Sequence, residues 1–182
     1  FYDVVQRVPF IISDPRRAAD VTRGTVDDRF VEAVDVAPTI LEALGIPIPR
    51  HRIEGRSLQP HLHGLDVADK PFVYSELNYS FKQARRISGA TIDNARAYSL
   101  RTERYRYVYW PGFPEQLFDL AADPDEMQDL GRDSGTESVR AQMRGQLLEF
   151  LALRKNRTTI PDARVEELTG THKDWGVFFG VW

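Results

Sequence analysis

The stretch RAYSLRTERYRYVYW, residues 96–110, predicts two antiparallel strands joined by a tight turn. Its two halves, residues 96–101 and 104–110, are rich in tyrosine, arginine and other residues that suit a pleated, half-buried surface. The polar pair Thr102-Glu103 separates them, as expected for a hairpin connection. The sequence therefore predicts a β-hairpin in the middle of the chain.

Side chains of the second strand alternate between aromatic and basic types. Because successive side chains point to opposite faces of a strand, the tyrosines occupy one face and the arginines the other. The simplest arrangement packs the tyrosines under a helix and leaves the arginines outside. Aromatic rings interleaved with arginines also occur on sheets that bind single-stranded nucleic acid, which gives an alternative function as an interaction module. The residues concerned are Arg104, Tyr105, Arg106, Tyr107 and Tyr109.

Two further strands and a helix flank the hairpin. Residues 72–77 and 116–120 have strand composition, and a helix is predicted from Ser134 to about Lys155. Ser134 and Glu137 have the spacing of a capping box at its start. The sequence therefore predicts a small antiparallel sheet packed by a C-terminal helix, whose buried stripe is Val139, Met143, Leu147, Phe150 and Leu151.

The first third of the chain contains one apolar run and one helix pattern. Residues 8–12 predict a buried strand, closed by a turn that begins at Ser13. Residues 35–45 predict a helix with Asp35 as the N-cap and Gly45 just beyond the last turn. Its predicted apolar stripe is Val36, Ile40, Leu41 and Leu44.

Composition limits the classes of function. The chain has 182 residues, 24 Lys plus Arg against 27 Asp plus Glu, and no cysteine. A net charge of −3 supplies no overall attraction to nucleic acid or anionic lipid, and neither is expected as a partner. The absence of cysteine excludes disulfides and thiolate chemistry. No run approaches the ~20 apolar residues that span a bilayer, and the expected location is cytoplasmic.

Five segments in a fixed order resemble the C-terminal third of a sulfatase. They are a valine-proline strand, an aspartate-to-threonine helix, a glycine-arginine-serine loop, an arginine-threonine hairpin and a leucine-phenylalanine-aspartate strand. The end of the chain, with residues 157–162 and 176–182, is similar to the phosphonate monoester hydrolase and arylsulfatase branch of the alkaline phosphatase superfamily. The five segments are residues 7–12, 34–46, 54–64, 101–108 and 117–130.

This resemblance implies an α/β fold and a division of the chain. Residues 1–65 would be the C-terminal end of the large α/β domain, part of an alkaline-phosphatase-like sandwich. Residues 66–155 would form the small subdomain, with about four antiparallel strands packed by a C-terminal helix. Residues 156–182 would be a tail that makes packing or oligomer contacts.

The resemblance also implies a metal-dependent ester hydrolase. Such enzymes use a divalent metal (Mn, Ca, Mg or Zn) and a formylglycine nucleophile, and they hydrolyse sulfate esters, phosphate diesters and phosphonate monoesters. In the family the nucleophile and metal ligands lie upstream of the valine-proline strand, so this chain is expected to carry no catalytic residue, metal ligand or cofactor. The last upstream motif, an aspartate-histidine-glycine followed by a lysine, would fall just before Phe1 and close to Tyr2. The expected partners are the remainder of the same polypeptide and further copies of it.

Ser13 begins a stretch that matches the formylglycine motif, Ser13-Asp14-Pro15-Arg16-Arg17. A catalytic role would make Ser13 the nucleophile precursor. Serine, aspartate and proline are also ordinary turn residues, and the segments that follow belong far downstream of the nucleophile in the family. A strand-ending turn is therefore the favoured interpretation.

Other polar residues are weaker candidates. His61 and His63 would put two imidazoles on one face of an extended segment, as a metal site requires, but a solvated pair is favoured. Asp93-Asn94 is interpreted as a turn, and His172 has no evident partner. Asn78 and Asn156 each begin a glycosylation acceptor sequence.

The chain ends in an unusually aromatic segment. An exposed terminus of this kind would form an apolar patch, so packing on the body of the protein or on another subunit is expected. The candidate oligomer contacts are Trp175, Phe178, Phe179 and Trp182.

Overall fold

The computed structural model describes residues 1–155 and 159–170. Within them, one antiparallel sheet has its strands in chain order. The predicted small sheet and its C-terminal helix are thereby confirmed. The strands are β1 (Val73–Asn78), β2 (Arg96–Arg101), β3 (Tyr105–Tyr109) and β4 (Gln116–Asp119), and the helices are α1 (Asp3–Gln6), α2 (Val36–Ala43), α3 (Gln59–Leu62), α4 (Gln83–Ser88), α5 (Glu137–Leu153) and α6 (Asp162–Leu168).

The β2–β3 hairpin forms where the sequence predicts it. Thr102 N donates to the Tyr105 carbonyl over 2.8 Å and closes the turn. Leu100 on β2 lies opposite Tyr107 on β3, and Leu117 on β4 lies on the other side of Tyr107. This register puts Leu100, Tyr107 and Leu117 on a single face of the sheet.

Helix α5 covers that face and completes a small core. Leu100, Tyr107 and Leu117 from the sheet and Met143 and Leu147 from the helix are each at most 3% exposed. At the edge of the core the Phe72 ring meets the Phe150 ring at 5.7 Å, edge to face. Burial of these side chains accounts for the stability of the sheet–helix unit, at about 1.5–3 kcal/mol for each.

The opposite face of the sheet corrects one expectation. Arg106 was predicted to lie outside, but its side chain is fully buried, and only Arg104 is exposed and pairs with Asp119. The first residues of the chain cover this face, where the Tyr2 ring meets the Phe118 ring at 5.8 Å. Strand alternation correctly separated the two faces, but it carries no information on what covers each one.

The start of α5 differs from the predicted capping box. Asp133, not Ser134, is the cap, because its Oδ1 accepts a hydrogen bond from Gly135 N over 2.8 Å. A 3-10 turn follows, and α5 itself begins at Glu137. Met143 and Leu147 of the predicted stripe are buried, whereas the remaining members, Val139, Phe150 and Leu151, are half-buried.

The predicted strand at residues 8–12 does not form. This segment has no strand partner among the described residues, and the side chains of Val8 and Ile11 are 69% and 91% exposed. A strand needs a neighbouring strand to satisfy its backbone N–H and C=O groups, so the sequence pattern alone is insufficient.

Helix α2 forms where it is predicted, but the Asp35 side chain makes no capping hydrogen bond to it, and the helix presents a different face to the protein. Gly45 adopts a left-handed φ of 68°, and Ile46 N donates to the Leu41 carbonyl over 2.8 Å, as expected beyond a helix end. Its buried side is formed by Asp35, Pro38 and Thr39. The stripe expected to be buried is largely exposed: Val36, Ile40 and Leu44 face outward.

Candidate functional site

Asp35, at the start of α2, is the centre of a polar network in the first half of the chain. Its carboxylate is fully buried. One oxygen accepts from Arg56 N over 2.8 Å, and the other accepts from Glu32 N over 2.9 Å and from Lys70 Nζ over 2.7 Å. With these three donors the carboxylate is fully engaged in holding the chain together, which is a structural role.

The same network docks a loop onto α2. Thr39 Oγ1 donates to the Asp35 carbonyl over 2.6 Å and accepts from Leu58 N over 2.9 Å. Gly55 lies directly against the backbone of Val34, where a Cβ atom would collide with the carbonyl group. The aspartate-to-threonine helix and the glycine-arginine-serine loop are therefore one structural unit.

Glu32 and Lys70 connect that unit to the sheet. Lys70 Nζ donates to Glu32 Oε2 over 2.6 Å, and the other Glu32 oxygen accepts from Tyr74 N on β1 over 3.0 Å. Both bonds cross the predicted boundary between residues 65 and 66, which itself remains a prediction.

The Ser13 stretch forms a turn built around Asp14. Asp14 Oδ1 accepts from Arg16 N over 2.9 Å, and its Oδ2 accepts from Arg16 Nη2 over 2.6 Å. The hydrogen bonds from the Arg16 side chain hold the pKa of Asp14 well below its usual range, and His63 adds a contact of 3.2 Å. Ser13 itself is exposed beside this turn, and its lack of a catalytic role remains a prediction.

The two histidines lie in different surroundings. The segment is helical rather than extended: His61 lies in α3, and His63 is its C-cap residue. His63 faces Asp14, whereas His61 is buried, so the interpretation as a solvated pair is wrong for His61. Burial, followed by the nearby Arg29 and Arg56 guanidinium groups, lowers the pKa of His61.

These residues do not fit a divalent-metal site. Across residues 1–155 and 159–170, no group of three or more His, Asp or Glu side chains is arranged to hold a metal ion. The best pair, Asp14 with His63, already has the Arg16 guanidinium on its carboxylate, and a cation there opposes a metal ion. The positive charges of Arg29 and Arg56 near His61 likewise oppose the binding of a metal ion there.

The remaining sequence candidates have local roles or fall outside the described residues. Asp93-Asn94 lies in a turn, where Asn94 N donates to Thr91 Oγ1 over 3.1 Å. Asn78 Oδ1 accepts from Ser80 Oγ over 2.6 Å. Outside the described residues lie Asn156, His172, Trp175, Phe178, Phe179 and Trp182.

Sequence reasoning missed a buried charge cluster around Arg106. Its guanidinium donates to Glu126, to Asp3 and, over 2.6 Å, to Gln6 Oε1. Arg101 Nε also donates to Asp3 Oδ1 over 2.8 Å. The partners are distant in sequence, so no local pattern signals the cluster, which attaches the first residues of the chain to the sheet.

The tyrosine face is not available for nucleic-acid stacking. Tyr107 is fully buried under α5, and Tyr105 is packed against the same core. Burial raises the pKa of Tyr107, and its hydroxyl lies near Glu115 and Arg144. Tyr105 and Tyr107 thus belong to the core, whereas Tyr109 at the end of β3 is 38% exposed.

A family model described as "N-sulphoglucosamine sulphohydrolase, C-terminal" matches residues 1–153. Among curated proteins, the multifunctional alkaline phosphatase superfamily protein PehA of Trinickia caryophylli is 34% identical over 135 residues, which cover 70% of this chain and 25% of that protein. The Delta 4,5-hexuronate-2-O-sulfatase of Bacteroides thetaiotaomicron is 28% identical over 159 residues, covering 86% and 31% respectively. The chain therefore spans about a quarter to a third of the length of these relatives.

Comparison with solved structures gives the same family. The crystal structure of the phosphonate monoester hydrolase of Agrobacterium radiobacter matches with a TM-score of 0.64 and 29% identity, covering 69% of this chain and 26% of that one. The matched family model covers most of the chain, including the Asp35 network, the sheet and α5. The chain belongs to the N-sulphoglucosamine sulphohydrolase C-terminal family, within the sulfatases and phosphonate monoester hydrolases of the alkaline phosphatase superfamily.

Proposed function

We propose that this chain is the C-terminal part of a metal-dependent hydrolase of sulfate esters, phosphate diesters or phosphonate monoesters. In this proposal the nucleophile and the metal ligands are supplied upstream, and residues 1–182 have a structural role. The relatives include a hexuronate sulfatase and a phosphonate monoester hydrolase, so both anionic ester classes are candidate substrates.

One observation supports this proposal most directly. The apolar stripe of α2 has the period of a buried helix face, yet Ile40 is 53% and Leu44 67% exposed. Val8 and Ile11 add further exposed apolar surface in the same third of the chain. Faces of this kind normally contact another protein surface, and the matched part of this chain covers only 25% and 31% of the two curated relatives.

The proposal assigns a role to each part of the chain. Residues 1–65 complete the large α/β domain, with the Asp35 network holding α2 and the loop that contains Gly55 as one unit. Residues 66–155 form the small subdomain, which the Arg106 cluster attaches to the first residues. The divalent metal (Mn, Ca, Mg or Zn) would be held by residues outside this chain.

The test compares two proteins. The polypeptide that includes the upstream sequence is assayed with Mn²⁺ and with an aryl sulfate, a phosphate diester and an aryl phosphonate monoester, and the 182-residue chain is assayed alone. We expect turnover only by the longer protein and no effect of Ser13→Ala on it. Turnover by the 182-residue chain that Ser13→Ala abolishes would overturn the proposal and make Ser13 the nucleophile.

Residues 156–182 enter the proposal as an oligomer contact. Their support is compositional, because aromatic residues are concentrated at the end of the chain in Trp175, Phe178, Phe179 and Trp182. Deletion of residues 175–182 should reduce the number of subunits in the oligomer that the longer polypeptide forms, as measured by light scattering. An unchanged mass and an unchanged melting temperature would remove the tail from the proposal.

A cytoplasmic location is part of the same proposal. A chain without cysteine needs no oxidising compartment to fold. Among the residues that the structure describes, no helix is both long and apolar enough to cross a bilayer. Cell fractionation of the native host tests the location directly.

A further inference from the structure

Arg56, in the loop that docks on α2, has two buried N–H groups without an acceptor. Its Nη1 donates to the Ala68 carbonyl, whereas Nε and Nη2 are buried and have no hydrogen-bond partner among the described residues. A guanidinium is always charged and can only donate, so leaving these groups unpaired costs free energy. The two orphaned donors therefore indicate an acceptor that the described residues do not supply.

Nε and Nη2 form one edge of a guanidinium, and elsewhere in this chain that edge holds a carboxylate. Arg101 Nε donates to Asp3 Oδ1 over 2.8 Å, and Arg101 Nη2 donates to Asp3 Oδ2 over 3.0 Å. Arg16 uses the same two groups on Asp14, at 2.9 Å and 2.6 Å. The planar fork matches two oxygens of a carboxylate, phosphate or sulfate. The free edge of Arg56 is thus shaped for one group of this kind.

The surroundings of Arg56 favour negative charge. His61 is 8% exposed, and its Nδ1 is buried without a hydrogen-bond partner in the described part of the chain. Burial, followed by the charges of Arg29 and Arg56, lowers the pKa of His61, so its imidazole is neutral at pH 7. The two acids that also act on His61, Asp27 and Asp69, are both paired with Arg29. The charge of Arg56 is therefore left for another anion.

The donors of Arg56 are held in place before any ligand arrives. Its backbone N donates to Asp35 Oδ1 over 2.8 Å, and Nη1 is fixed by the Ala68 carbonyl. Arg56 is half-buried and Ala68 is exposed, so the cluster lies just below the surface. A ligand on the free edge would displace no existing hydrogen bond of Arg56.

We propose that Arg56, with His61 beside it, is a binding site for one anionic oxygen group of the carboxylate, phosphate or sulfate kind. Nε and Nη2 of Arg56 donate to two of its oxygens, and Nδ1 of His61 is a further donor in one neutral tautomer. The positive charges that oppose a metal ion here attract this ligand. Two sources have the required chemistry, a free inorganic oxyanion and an acidic side chain of the upstream polypeptide.

The test is thermal unfolding of the 182-residue chain in rising concentrations of inorganic phosphate, with sodium chloride keeping the ionic strength constant. Phosphate also stabilises folded proteins in general, so the site is measured as the difference between wild type and Arg56→Gln. We expect wild type to gain about 3–6 °C more than Arg56→Gln when phosphate exceeds its Kd about tenfold. No difference between the two would overturn the proposal.

Two further variants show whether the donors themselves are responsible. Arg52→Gln is the matched control, because Arg52 is exposed and the charge change is the same, and it should respond to phosphate as wild type does. Arg56→Lys keeps the charge without the planar fork, so it should respond less than wild type even if Arg56→Gln does not fold. An equal loss in Arg52→Gln, or a full response in Arg56→Lys, would contradict the site.

The longer polypeptide distinguishes the two sources. If an upstream carboxylate fills the site, phosphate gives no Arg56-dependent gain there, and Arg56→Gln lowers the melting temperature more than it does in the 182-residue chain. If a free oxyanion is the ligand, the Arg56-dependent gain persists. Absence of both effects would overturn the proposal. Neither measurement requires hydrolysis, so failure of this site is distinct from failure of the proposed function.

Discussion

Arg104 and Arg106 show how strongly surroundings decide the role of a residue. They are two positions apart on one face of the hairpin, yet the Arg104 side chain is 62% exposed and that of Arg106 is fully buried. Arg106 has two carboxylates, from Asp3 and Glu126, and an amide oxygen as acceptors. A buried cation is tolerated only with such compensation.

Arg106→Met should therefore destabilise the 182-residue chain by about 3–5 kcal/mol, because it leaves Glu126 buried without its cation. Arg104→Met is the matched control and should cost only about 0.2–1 kcal/mol, because the Arg104 side chain that pairs with Asp119 is 62% exposed. Urea unfolding of both variants measures the difference. Equal losses would contradict the structural role assigned to Arg106.

The hydrogen bonds of Asp14 should make the free energy of unfolding depend on pH. The hydrogen bonds from Arg16 lower the pKa of Asp14 in the folded chain, so the unfolded chain binds a proton at higher pH than the folded chain does. The stability that this carboxylate contributes is fully present above about pH 5, and it is lost progressively as the pH falls through the ordinary pKa of about 3.9 toward the lower pKa of the folded chain. Asp14→Asn should be less stable at pH 7 and should lose less stability between pH 5 and pH 3.

Asp20→Asn provides the control for that experiment, because Asp20 pairs with Arg23 at an exposed surface. Its stability should follow the wild-type pH dependence when unfolding by urea is measured at each pH. The same slope in wild type and in Asp14→Asn would show that Asp14 is not responsible.

At the scale of elements, the docking of α2 on the loop 55–58 depends on close backbone approach. Asp35 Oδ1 reaches Arg56 N over 2.8 Å, and Thr39 Oγ1 reaches Leu58 N over 2.9 Å. Both bonds require residue 55 to have no side chain, since Gly55 faces the Val34 carbonyl. The two segments therefore form or separate together.

Gly55→Ala should destabilise the chain by about 1–3 kcal/mol, because the added Cβ would meet backbone that cannot rotate away. Gly145→Ala is the control: Gly145 lies in α5 with no neighbour within 4 Å, and alanine there should stabilise the helix by about 0.5–1 kcal/mol. Thermal unfolding gives both values. A tolerated Gly55→Ala would refute the close docking.

At the scale of the whole molecule, the two ends of the described chain differ in how they are packed. The sheet and α5 enclose a core of their own, whereas residues 8–11 and α2 carry exposed apolar side chains. This asymmetry is expected of a structure that offers one face to a larger partner.

Ile40→Gln/Leu44→Gln should change the stability of the 182-residue chain by less than about 0.5 kcal/mol, since both side chains are exposed. In the longer polypeptide it should lower the melting temperature and the yield of folded protein, because the same positions would be buried. Met127→Gln/Leu148→Gln, also at exposed positions, should have little effect in either protein. Equal behaviour of the two variants in the longer polypeptide would exclude α2 as a contact face.

Local patterns in the sequence were sufficient for the hairpin, for Gly45 beyond α2 and for the buried face of α5 at Met143 and Leu147. These features depend on the period of side chains along a strand or helix and on backbone preferences of single residues. The order of the five motifs indicated the sulfatase family, and the family model confirms this over residues 1–153.

Only the tertiary structure decided where the charges and the apolar faces lie. The Arg106 cluster joins residues about 100 positions apart, and the Asp35 network joins residues 32, 56 and 70. Strand formation at residues 8–12 and burial of α2 depend on neighbouring surfaces that no local pattern contains. The sequence thus determined which elements this protein can form, and the contacts between distant segments determined which face of each element is buried, because burial is a property of two surfaces and not of one.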